Sequence, residues 1–256
     1  MNTKPIIIIA AEPNSIFSEI FFKVFKKNKF LKPIVLIASY KLFKKQMSFL
    51  KYNISFNKID KNFRLEDLIN NKVNIINIDL KFQRPFEKIS SNSNYYNQKC
   101  FELALKLVKQ HKLSGLINGP ISKKHFLKNR FLGMTEYFAK KTNTKNYAMI
   151  IYSRNLAVSP ITTHVPLKNV SKLISQKKII NQVSLIKKFY KKNFNKNAKI
   201  AITGLNPHCE SNFVNSEEEK IIKPAIKSLK KKYSHISGPY SADSLFISKN
   251  IKNFDV

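Results

Sequence analysis

The sequence predicts an α/β fold built on a largely parallel sheet. Short runs rich in β-branched residues alternate with amphipathic stretches along the chain, which is the pattern of repeated strand–helix units. Hydrophobic residues make up 43% of the 256 residues, which is enough for a substantial core. The alternation shows no internal repeat, so a solenoid or propeller is not expected.

The predicted strands are short apolar runs bounded by polar or turn-forming residues. They cover residues 6–10, 34–38, 73–78, 115–118, 148–152, 157–161 and 200–203. The first apolar run is short and is followed by Glu12 and Pro13, so it is interpreted as a strand and not as a signal peptide.

The predicted helices are stretches in which apolar residues recur at helical spacing. They cover residues 15–27, 40–50, 94–112, 178–194 and 217–232. The residues expected to form apolar stripes are Ile16, Ile20 and Val24 in the first helix and Phe101, Leu105 and Val108 in the third. Ser93 is predicted to cap the third helix, and the polar region 56–92 is expected to be an excursion from the fold.

The net charge of +32 comes almost entirely from lysine, since only four of the 47 basic residues are arginines. Lys, Asn, Ile and Phe are abundant, and all four have A/T-rich codons, so a biased genome accounts for this composition. The alternative is a polyanion-binding protein, which requires a clustered basic face and an affinity that falls steeply with salt. Because lysines occur in every segment, a solvated surface is favoured and nucleic acid is not expected as a partner.

Several protein classes are excluded by what the sequence lacks. No apolar run reaches the roughly 18–20 residues of a membrane span. Two cysteines, Cys100 and Cys209, make no disulfide framework, which favours a reducing cytoplasm. The dinucleotide fingerprint, the Walker loop, the Gly-x-Ser-x-Gly elbow and the Cys-x-x-Cys zinc pair are all absent from the sequence.

Two segments at predicted strand ends carry residues suited to binding an anion. Ser122 and Lys123 begin a helix after a Gly-Pro turn, and a helix N-terminus with a nearby lysine can hold phosphate or carboxylate. Thr135 follows Gly133 at the start of another helix and offers a hydroxyl. The alternative for both segments is an ordinary turn with a capping residue.

Three further segments carry groups suited to a metal or to proton transfer. His164 and His208 each lie beside a proline after an apolar strand, and their imidazoles could converge on one metal ion. The alternative is that each histidine is structural, which is commoner for a lone histidine. Asp243 is expected in a loop as a helix cap, a carboxylate near a metal or a proton acceptor.

Taken together and in order, these segments resemble the PdxA-type family of 4-hydroxythreonine-4-phosphate dehydrogenases. The resemblance covers nearly the whole chain and lies in 118–123 (NGPISK), 133–136 (GMTE), 162–167 (TTHVPL), 204–208 (GLNPH) and 238–246 (GPYSADSLF). Each motif alone is only moderately specific, whereas five motifs in the same order are specific.

The resemblance implies a fold like that of isocitrate and isopropylmalate dehydrogenases, with two α/β domains, largely parallel sheets, a central cleft and a homodimer. Residues 1–256 would then form one catalytic unit of two interleaved subdomains. The implied reaction is the oxidation of 4-(phosphooxy)-L-threonine by NAD or NADP, followed by decarboxylation to 3-amino-2-oxopropyl phosphate in pyridoxal 5'-phosphate biosynthesis. A divalent metal (Zn, Mg or Co) lowers the pKa of the substrate hydroxyl and so favours hydride transfer.

The resemblance also assigns roles to individual residues. His164 and His208 match two of the family's three metal-binding histidines, and Asp243 lies in a motif near the catalytic site. Met134 and Thr135 match substrate-contacting positions. Ser122 and Lys123 are candidates for the phosphate region.

Three departures from the family pattern change these expectations. Met134 replaces a histidine that could donate a hydrogen bond to phosphate, and the N-terminal glycine-rich turn keeps only Glu12, Pro13, Ile16 and Glu19. The family continues past residue 256 with the third metal histidine, cationic substrate contacts and much of the cofactor pocket, so the chain is expected to be C-terminally short. The alternatives are therefore a truncated, non-catalytic relic and a dehydrogenase for another phosphorylated hydroxy acid.

Overall fold

The computed structural model describes residues 4–110, 113–128, 130–153, 155–209 and 214–256. The chain divides into two compact units, Met1–Leu132 and Gly133–Val256, which we call unit 1 and unit 2. Each unit is one continuous stretch of the chain with its own hydrophobic core. That the two together form one catalytic unit stays a prediction.

Unit 1 is built on a five-stranded parallel sheet, as the strand–helix alternation predicts. Its strands are β1 (Ile6–Ile9), β2 (Ile34–Ala38), β3 (Phe56–Lys58), β4 (Val73–Asn77) and β5 (Gly115–Asn118), in the order β3-β4-β2-β1-β5. Its helices are α1 (Phe17–Lys27), α2 (Tyr40–Phe49), α3 (Asn94–Gln110) and α4 (Lys123–Phe126). The central strand β2 is buried along its whole length, as a strand covered on both faces of a sheet must be.

The region 56–92 is not wholly an excursion, because it contains β3, which pairs in parallel with β4. Sequence pattern misses this strand because it has only three residues, Phe-Asn-Lys, and lies half-exposed at the edge of the sheet. Edge strands of this length carry little alternation for a sequence pattern to detect.

The apolar stripe predicted for α1 is wrong. Ile16, Ile20 and Val24 are 63%, 49% and 46% exposed, whereas Phe21 and Phe22 are buried. The rings of Phe22 and Phe43, which belongs to α2, lie 4.6 Å apart between centroids. Burying aromatic rings removes more apolar area from water than burying aliphatic residues, so the phenylalanine face turns inward.

The stripe predicted for α3 and its cap need similar corrections. Phe101 is buried as predicted and Leu105 is partly buried, but Val108 is 40% exposed, and Cys100 and Leu107 are buried as well. The Ser93 hydroxyl does not cap α3 but donates to Glu12 Oε2 at 2.7 Å. Residues 111–112, the predicted end of this helix, lie outside the described residues.

The end of β5 is pressed closely against the end of β1. Gly119 N donates to Ile9 O at 2.7 Å. A Cβ atom on Gly119 would fall inside contact distance of the Ala10 carbonyl oxygen and 2.9 Å from the ring of Phe17. Only a residue without a side chain fits this close approach of two backbones.

Unit 2 contains shorter strands and two small sheets. Its strands are β6 (Ile151–Tyr152), β7 (Ala157–Val158), β8 (Ile200–Thr203) and β9 (Ile236–Tyr240). Its helices are α5 (Met134–Lys141), α6 (Val170–Leu173), α7 (Gln176–Phe194), α8 (Lys223–Lys230), α9 (Ala242–Leu245) and α10 (Ser248–Ile251). Strands β6 and β7 form an antiparallel pair, and β8 and β9 form a parallel pair.

Three expectations for unit 2 are corrected. The strands expected over 148–152 and 157–161 shrink to two residues each. Strand β9 has no counterpart among the predicted strands, because Gly238 and Pro239 within it are typical of a turn. The helix expected over 217–232 begins as a π-helix over Glu218–Ile222 and continues as α8.

The core of unit 2 packs α7 and α8 against β8 and β9. The buried residues of this core include Ile179, Val183, Ile186, Ala225, Ile226 and Leu229. Among the described residues, no helix is both long and apolar enough to span a membrane.

Candidate functional site

The two histidines predicted as metal ligands both lie in unit 2, in loops with a left-handed backbone. His164 has a φ of 55° and His208 a φ of 60°. Residues other than glycine adopt this conformation rarely and at a cost, and such residues cluster at functional sites. Both side chains are exposed, so their imidazoles are accessible from solvent.

His164 lies against the start of α5. An ideal Cβ on Gly133 would be 3.3 Å from His164 Nε2 and 3.0 Å from Glu136 Oε2, so both groups rest on this glycine. The Thr163 hydroxyl donates to Glu136 Oε1 at 3.2 Å. Glu136 Oε2 is buried and has no hydrogen-bond partner. An imidazole nitrogen and an unpaired carboxylate oxygen therefore both lie beside Gly133.

His208 lies beside Asp243. His208 Nδ1 and Asp243 Oδ2 are 3.4 Å apart, and the two side chains are 71% and 62% exposed. Asp243 lies in the first turn of α9, which corrects the loop position expected for it. The Ser241 hydroxyl donates to Asp243 Oδ1, and this bond, together with the backbone N–H of Ser244 and then the charge of His208, outweighs burial and holds the pKa of Asp243 below its usual value.

The loop that carries His208 is organised by Glu218, a residue that sequence reasoning misses. Glu218 is 1% exposed, and its Oε1 accepts hydrogen bonds from Leu205 N and Asn206 N, both at 2.8 Å. Its Oε2 accepts from Asn206 Nδ2 at 2.7 Å. Burial raises the pKa of Glu218, but the bonds donated by Asn206 and Leu205 outweigh it, so the pKa lies below the usual value.

Sequence carries only a weak signal for this role of Glu218. It is the middle of three consecutive glutamates at a predicted helix start, where all three suit the helix dipole equally well. One feature of the sequence does point to such a residue. The loop that follows the strand ending near Gly204 has backbone N–H groups, and these need hydrogen-bond acceptors. A Cβ on Gly204 would lie 3.0 Å from Glu218 Oε1 and 2.5 Å from Cys209 Sγ, so the loop folds directly onto this carboxylate.

Unit 1 contains a comparable buried carboxylate after β1. Glu12 is 2% exposed and accepts hydrogen bonds from Ser93 Oγ at 2.7 Å and from Asn97 Nδ2 at 3.3 Å. These bonds join the loop after β1 to the start of α3. In the sequence Glu12 stands out only as a match to the family's N-terminal turn, and its contacts explain why a carboxylate suits that position.

The residues predicted for the phosphate region are divided between the units. Ser122 and Lys123 lie at the start of α4 in unit 1, where the Ser122 hydroxyl lies 2.7 Å from His125 Nδ1 and makes no helix cap. Met134 and Thr135 open α5 in unit 2 and are partly exposed. The phosphate-binding role of these residues stays a prediction.

The described donor atoms of unit 2 are of kinds that bind divalent metals, but they do not form a complete site. Among the described residues, no group of three or more His, Cys, Asp and Glu side chains is arranged to hold a metal ion. The pairs Glu136–His164 and His208–Asp243 each offer one imidazole nitrogen and one carboxylate oxygen, which are ligands that zinc and cobalt accept. The unpaired Glu136 oxygen fits a bound cation, and the sharing of one cation by His164 and His208 stays a prediction.

Comparison with known proteins gives a family and several relatives. The profile of the family described as "Pyridoxal phosphate biosynthetic protein PdxA" matches residues 29–256. The chain is 34% identical over 257 residues to 4-hydroxythreonine-4-phosphate dehydrogenase from Sulfurihydrogenibium sp., covering 97% of this chain and 77% of the relative. It is 29% identical over 265 residues to a protein from Oceanobacillus iheyensis whose name proposes a D-threonate 4-phosphate dehydrogenase, covering 100% and 80%.

Solved structures agree with the fold. The structure of 4-hydroxythreonine-4-phosphate dehydrogenase from Klebsiella pneumoniae superposes with a TM-score of 0.82 at 22% identity, over 98% of this chain and 79% of that one. One from Burkholderia phymatum gives a TM-score of 0.78 at 20% identity, over 99% and 78%. At this identity the likeness shows the fold alone.

Proposed function

We propose a function on the premise that the chain belongs to the PdxA family of pyridoxal phosphate biosynthetic proteins, as the match over residues 29–256 shows. The named relatives make it an oxidoreductase of the dehydrogenase class. A dehydrogenase of this class uses a nicotinamide cofactor as its hydride acceptor.

The specific reaction we propose is the oxidation of 4-(phosphooxy)-L-threonine by NAD or NADP, followed by decarboxylation to 3-amino-2-oxopropyl phosphate. The observation that carries this proposal is that His164 Nε2 and the buried, unpaired Glu136 Oε2 both lie beside Gly133 at the start of α5. That arrangement supports a divalent-metal site in unit 2, and the name of the Sulfurihydrogenibium relative supports the substrate.

The residues of unit 2 have separate roles in this proposal. His164 and His208 hold a divalent cation (Zn, Mg or Co), which when bound lowers the pKa of a secondary hydroxyl and stabilises an enolate. Asp243 lies beside His208 and is ionised at neutral pH, so it can orient the imidazole or accept a proton. Glu218 fixes the loop that presents His208.

The phosphate end of the substrate is assigned to hydroxyl and ammonium donors. Thr135 offers a hydroxyl at the start of α5, and Ser122 and Lys123 are the candidates in unit 1. Met134 precedes Thr135 and cannot donate a hydrogen bond. We therefore expect weaker phosphate binding than a histidine at position 134 would give, and Met134→His tests this through the KM for the phosphorylated substrate.

The test of the proposal is a steady-state assay of NAD and NADP reduction with 4-(phosphooxy)-L-threonine, after chelation and addition of Zn²⁺, Mg²⁺ or Co²⁺. We expect His164→Ala and His208→Ala each to lower kcat/KM by about 100-fold or more, because each removes a cation ligand. His235→Ala is the matched control, since His235 is also exposed with a φ of 60° but lies before β9. Equal activity of all three variants would contradict the proposal.

A second candidate substrate is a phosphorylated hydroxy acid without the amino group. Met134 and the name of the Oceanobacillus relative favour it. Including D-threonate 4-phosphate in the same assay decides between the two through the ratio of their kcat/KM values. Metal binding without turnover of either substrate would support a non-catalytic relic, and sedimentation would test the proposed homodimer.

A further inference from the structure

We propose that unit 2 contains a further ligand site, a cavity that binds a small aromatic anion of the aryl phosphate class. The cavity lies at the amino end of β8, whereas His208 lies in the segment that follows the carboxyl end of this strand. None of the described residues that line the cavity is assigned above to the metal or to the substrate. The inference therefore goes beyond the proposed function and does not depend on it.

The size and composition of the cavity suit a small molecule with a flat ring. Its volume is about 690 Å³, which is within the range of ligand sites. It is lined by β6 and the turn after it, by the ends of α7 and α10, and by the residues just before Val256. Four of the described lining residues are aromatic, namely Tyr152, Tyr190, Phe194 and Phe254.

The end of α7 supplies an aromatic wall. Tyr190 and Phe194 are four residues apart, so they lie on the same helical face, and their ring centroids are 5.3 Å apart. Tyr190 is 5% exposed and is held by its surroundings, whereas Phe194 is 52% exposed. Tyr152, on β6, is 63% exposed. The open faces of Phe194 and Tyr152 can therefore stack on a planar ligand.

The charged groups of the lining favour an anion. They are Lys196, Lys252 and Asp255. The charge of Asp255 is already compensated, because its Oδ1 is ion-paired with Lys196 Nζ and its Oδ2 accepts a hydrogen bond from Lys199 N at 2.9 Å. Lys252 is exposed and forms no ion pair within the part of the chain that the structure describes. Its ammonium group is thus the cation that a phosphate would neutralise.

A second copy of the chain is the other occupant that exposed aromatic rings attract. Self-association through this face would bring Lys252 close to another strongly basic surface, because the chain carries a net charge of +32. Repulsion between like charges opposes such a contact, whereas an anionic ligand reduces it. The charge of the chain therefore favours the small anion over a second copy.

The test is calorimetric titration of the 256-residue chain with phenyl phosphate, which combines a ring and a phosphate. Inorganic phosphate lacks the ring and benzyl alcohol lacks the charge, so we expect each to bind at least about 10-fold more weakly than phenyl phosphate. Absence of phenyl phosphate binding would overturn the inference. Equal affinities for phenyl phosphate and inorganic phosphate would also overturn it, because the aromatic wall would then play no part.

Two variants locate the bound probe. Phe194→Ala and Lys252→Gln should each weaken phenyl phosphate binding by about fivefold, and Lys252→Gln should also reduce its dependence on salt. The matched controls are Phe49→Ala, at an exposed phenylalanine of unit 1, and Lys249→Gln, at an exposed lysine of α10 outside the lining. Both controls should bind the probe as the wild type does.

Two further outcomes would contradict the proposal. Unchanged phenyl phosphate binding in both Phe194→Ala and Lys252→Gln would place the probe elsewhere on the chain. Sedimentation would reveal the competing occupant: if Phe194→Ala dissociates an oligomer that the wild type forms, the cavity is a contact between copies of the chain. Neither outcome bears on the proposed dehydrogenase, which is tested separately by the reduction of NAD and NADP.

Discussion

Unit 1 and unit 2 differ in the size of their sheets and in the number of candidate site residues that they carry. Unit 1 has five parallel strands and a core filled with phenylalanine rings, whereas unit 2 has two-stranded sheets and carries Thr135, His164, His208 and Asp243. In unit 1 the polar groups mostly support the sheet and its loops. In unit 2 His164 and His208 sit on loops that are tied to helices through hydrogen bonds to Glu136 and Glu218, which is how binding residues are usually presented on a scaffold.

The largest effect that would test this comparison is in the aromatic core of unit 1. Phe22 is fully buried and contacts Phe43, so Phe22→Ala should lower the free energy of unfolding by about 3–5 kcal/mol through lost burial and a new cavity. Urea unfolding measures this value. Phe49→Ala is the control, because Phe49 is 64% exposed and should cost much less.

The same variant also tests whether metal binding by unit 2 depends on the stability of unit 1. Under conditions where Phe22→Ala remains folded, Co²⁺ binding should match that of the wild type, because His164 and His208 belong to unit 2. A parallel loss of Co²⁺ affinity would show that the stability of unit 1 controls the site, and the division of roles between the units would be wrong.

The next effect concerns Glu218 in unit 2. Glu218→Gln should destabilise the protein by about 1–3 kcal/mol at neutral pH, because it replaces a buried, charged acceptor of three hydrogen bonds. The pKa of Glu218 lies below 4.5, so its stabilisation is present above that pH and is lost as the pH falls through the lowered value.

The dependence of the unfolding free energy on pH tests whether the Glu218 carboxylate is the group responsible. The stability difference between the wild type and Glu218→Gln, measured by urea unfolding, should shrink as the pH falls below 4.5. Glu219→Gln is the control at neutral pH, where it should cost much less stability than Glu218→Gln because Glu219 is exposed. A difference that stays constant from neutral pH to strongly acidic pH would contradict the assignment.

A smaller effect is expected from the backbone of His208. Its φ of 60° disfavours any residue with a Cβ, so His208→Gly should be about 1 kcal/mol more stable than His208→Ala. Thermal unfolding of the two variants measures this. Equal stability would mean that the loop relaxes when the imidazole is removed, and the strain at this site would then depend on the histidine itself.

The smallest effect is expected on the surface of unit 1. Glu19 forms an exposed ion pair with Lys23 one helical turn away, and such pairs contribute little to stability because water screens them. Glu19→Gln should therefore change the urea midpoint very little. A loss comparable with that of Glu218→Gln would remove the contrast between exposed and buried carboxylates on which the comparison depends.

Sequence pattern is sufficient for the strands that are continuous apolar runs between turns. Strands β2, β5 and β8 begin and end at the predicted residues. The buried faces of α1 and α3 are not predictable in the same way, because a chain rich in Ile and Phe carries apolar residues on several helical faces. Which face is buried depends on the partner helices and strands.

The site is predictable in its histidines but not in its supporting carboxylates. His164 and His208 stand out beside prolines after strands, and Asp243 lies in a distinctive motif. Glu136 meets Thr163 across 27 residues of sequence, and Glu218 meets Asn206 across 12, so only the folded chain reveals these pairs. Local patterns carry no information about contacts of this range.

Position 119 is expected to remain glycine even where mutation removes glycine from other positions. Glycine is scarce in this chain, with only five glycines in 256 residues, as expected where A/T-rich codons are favoured. At position 119 any replacement must push apart two strand backbones and not merely a flexible side chain. We expect the drift away from glycine to stop at this position, because no compensating change in a neighbouring side chain could make room.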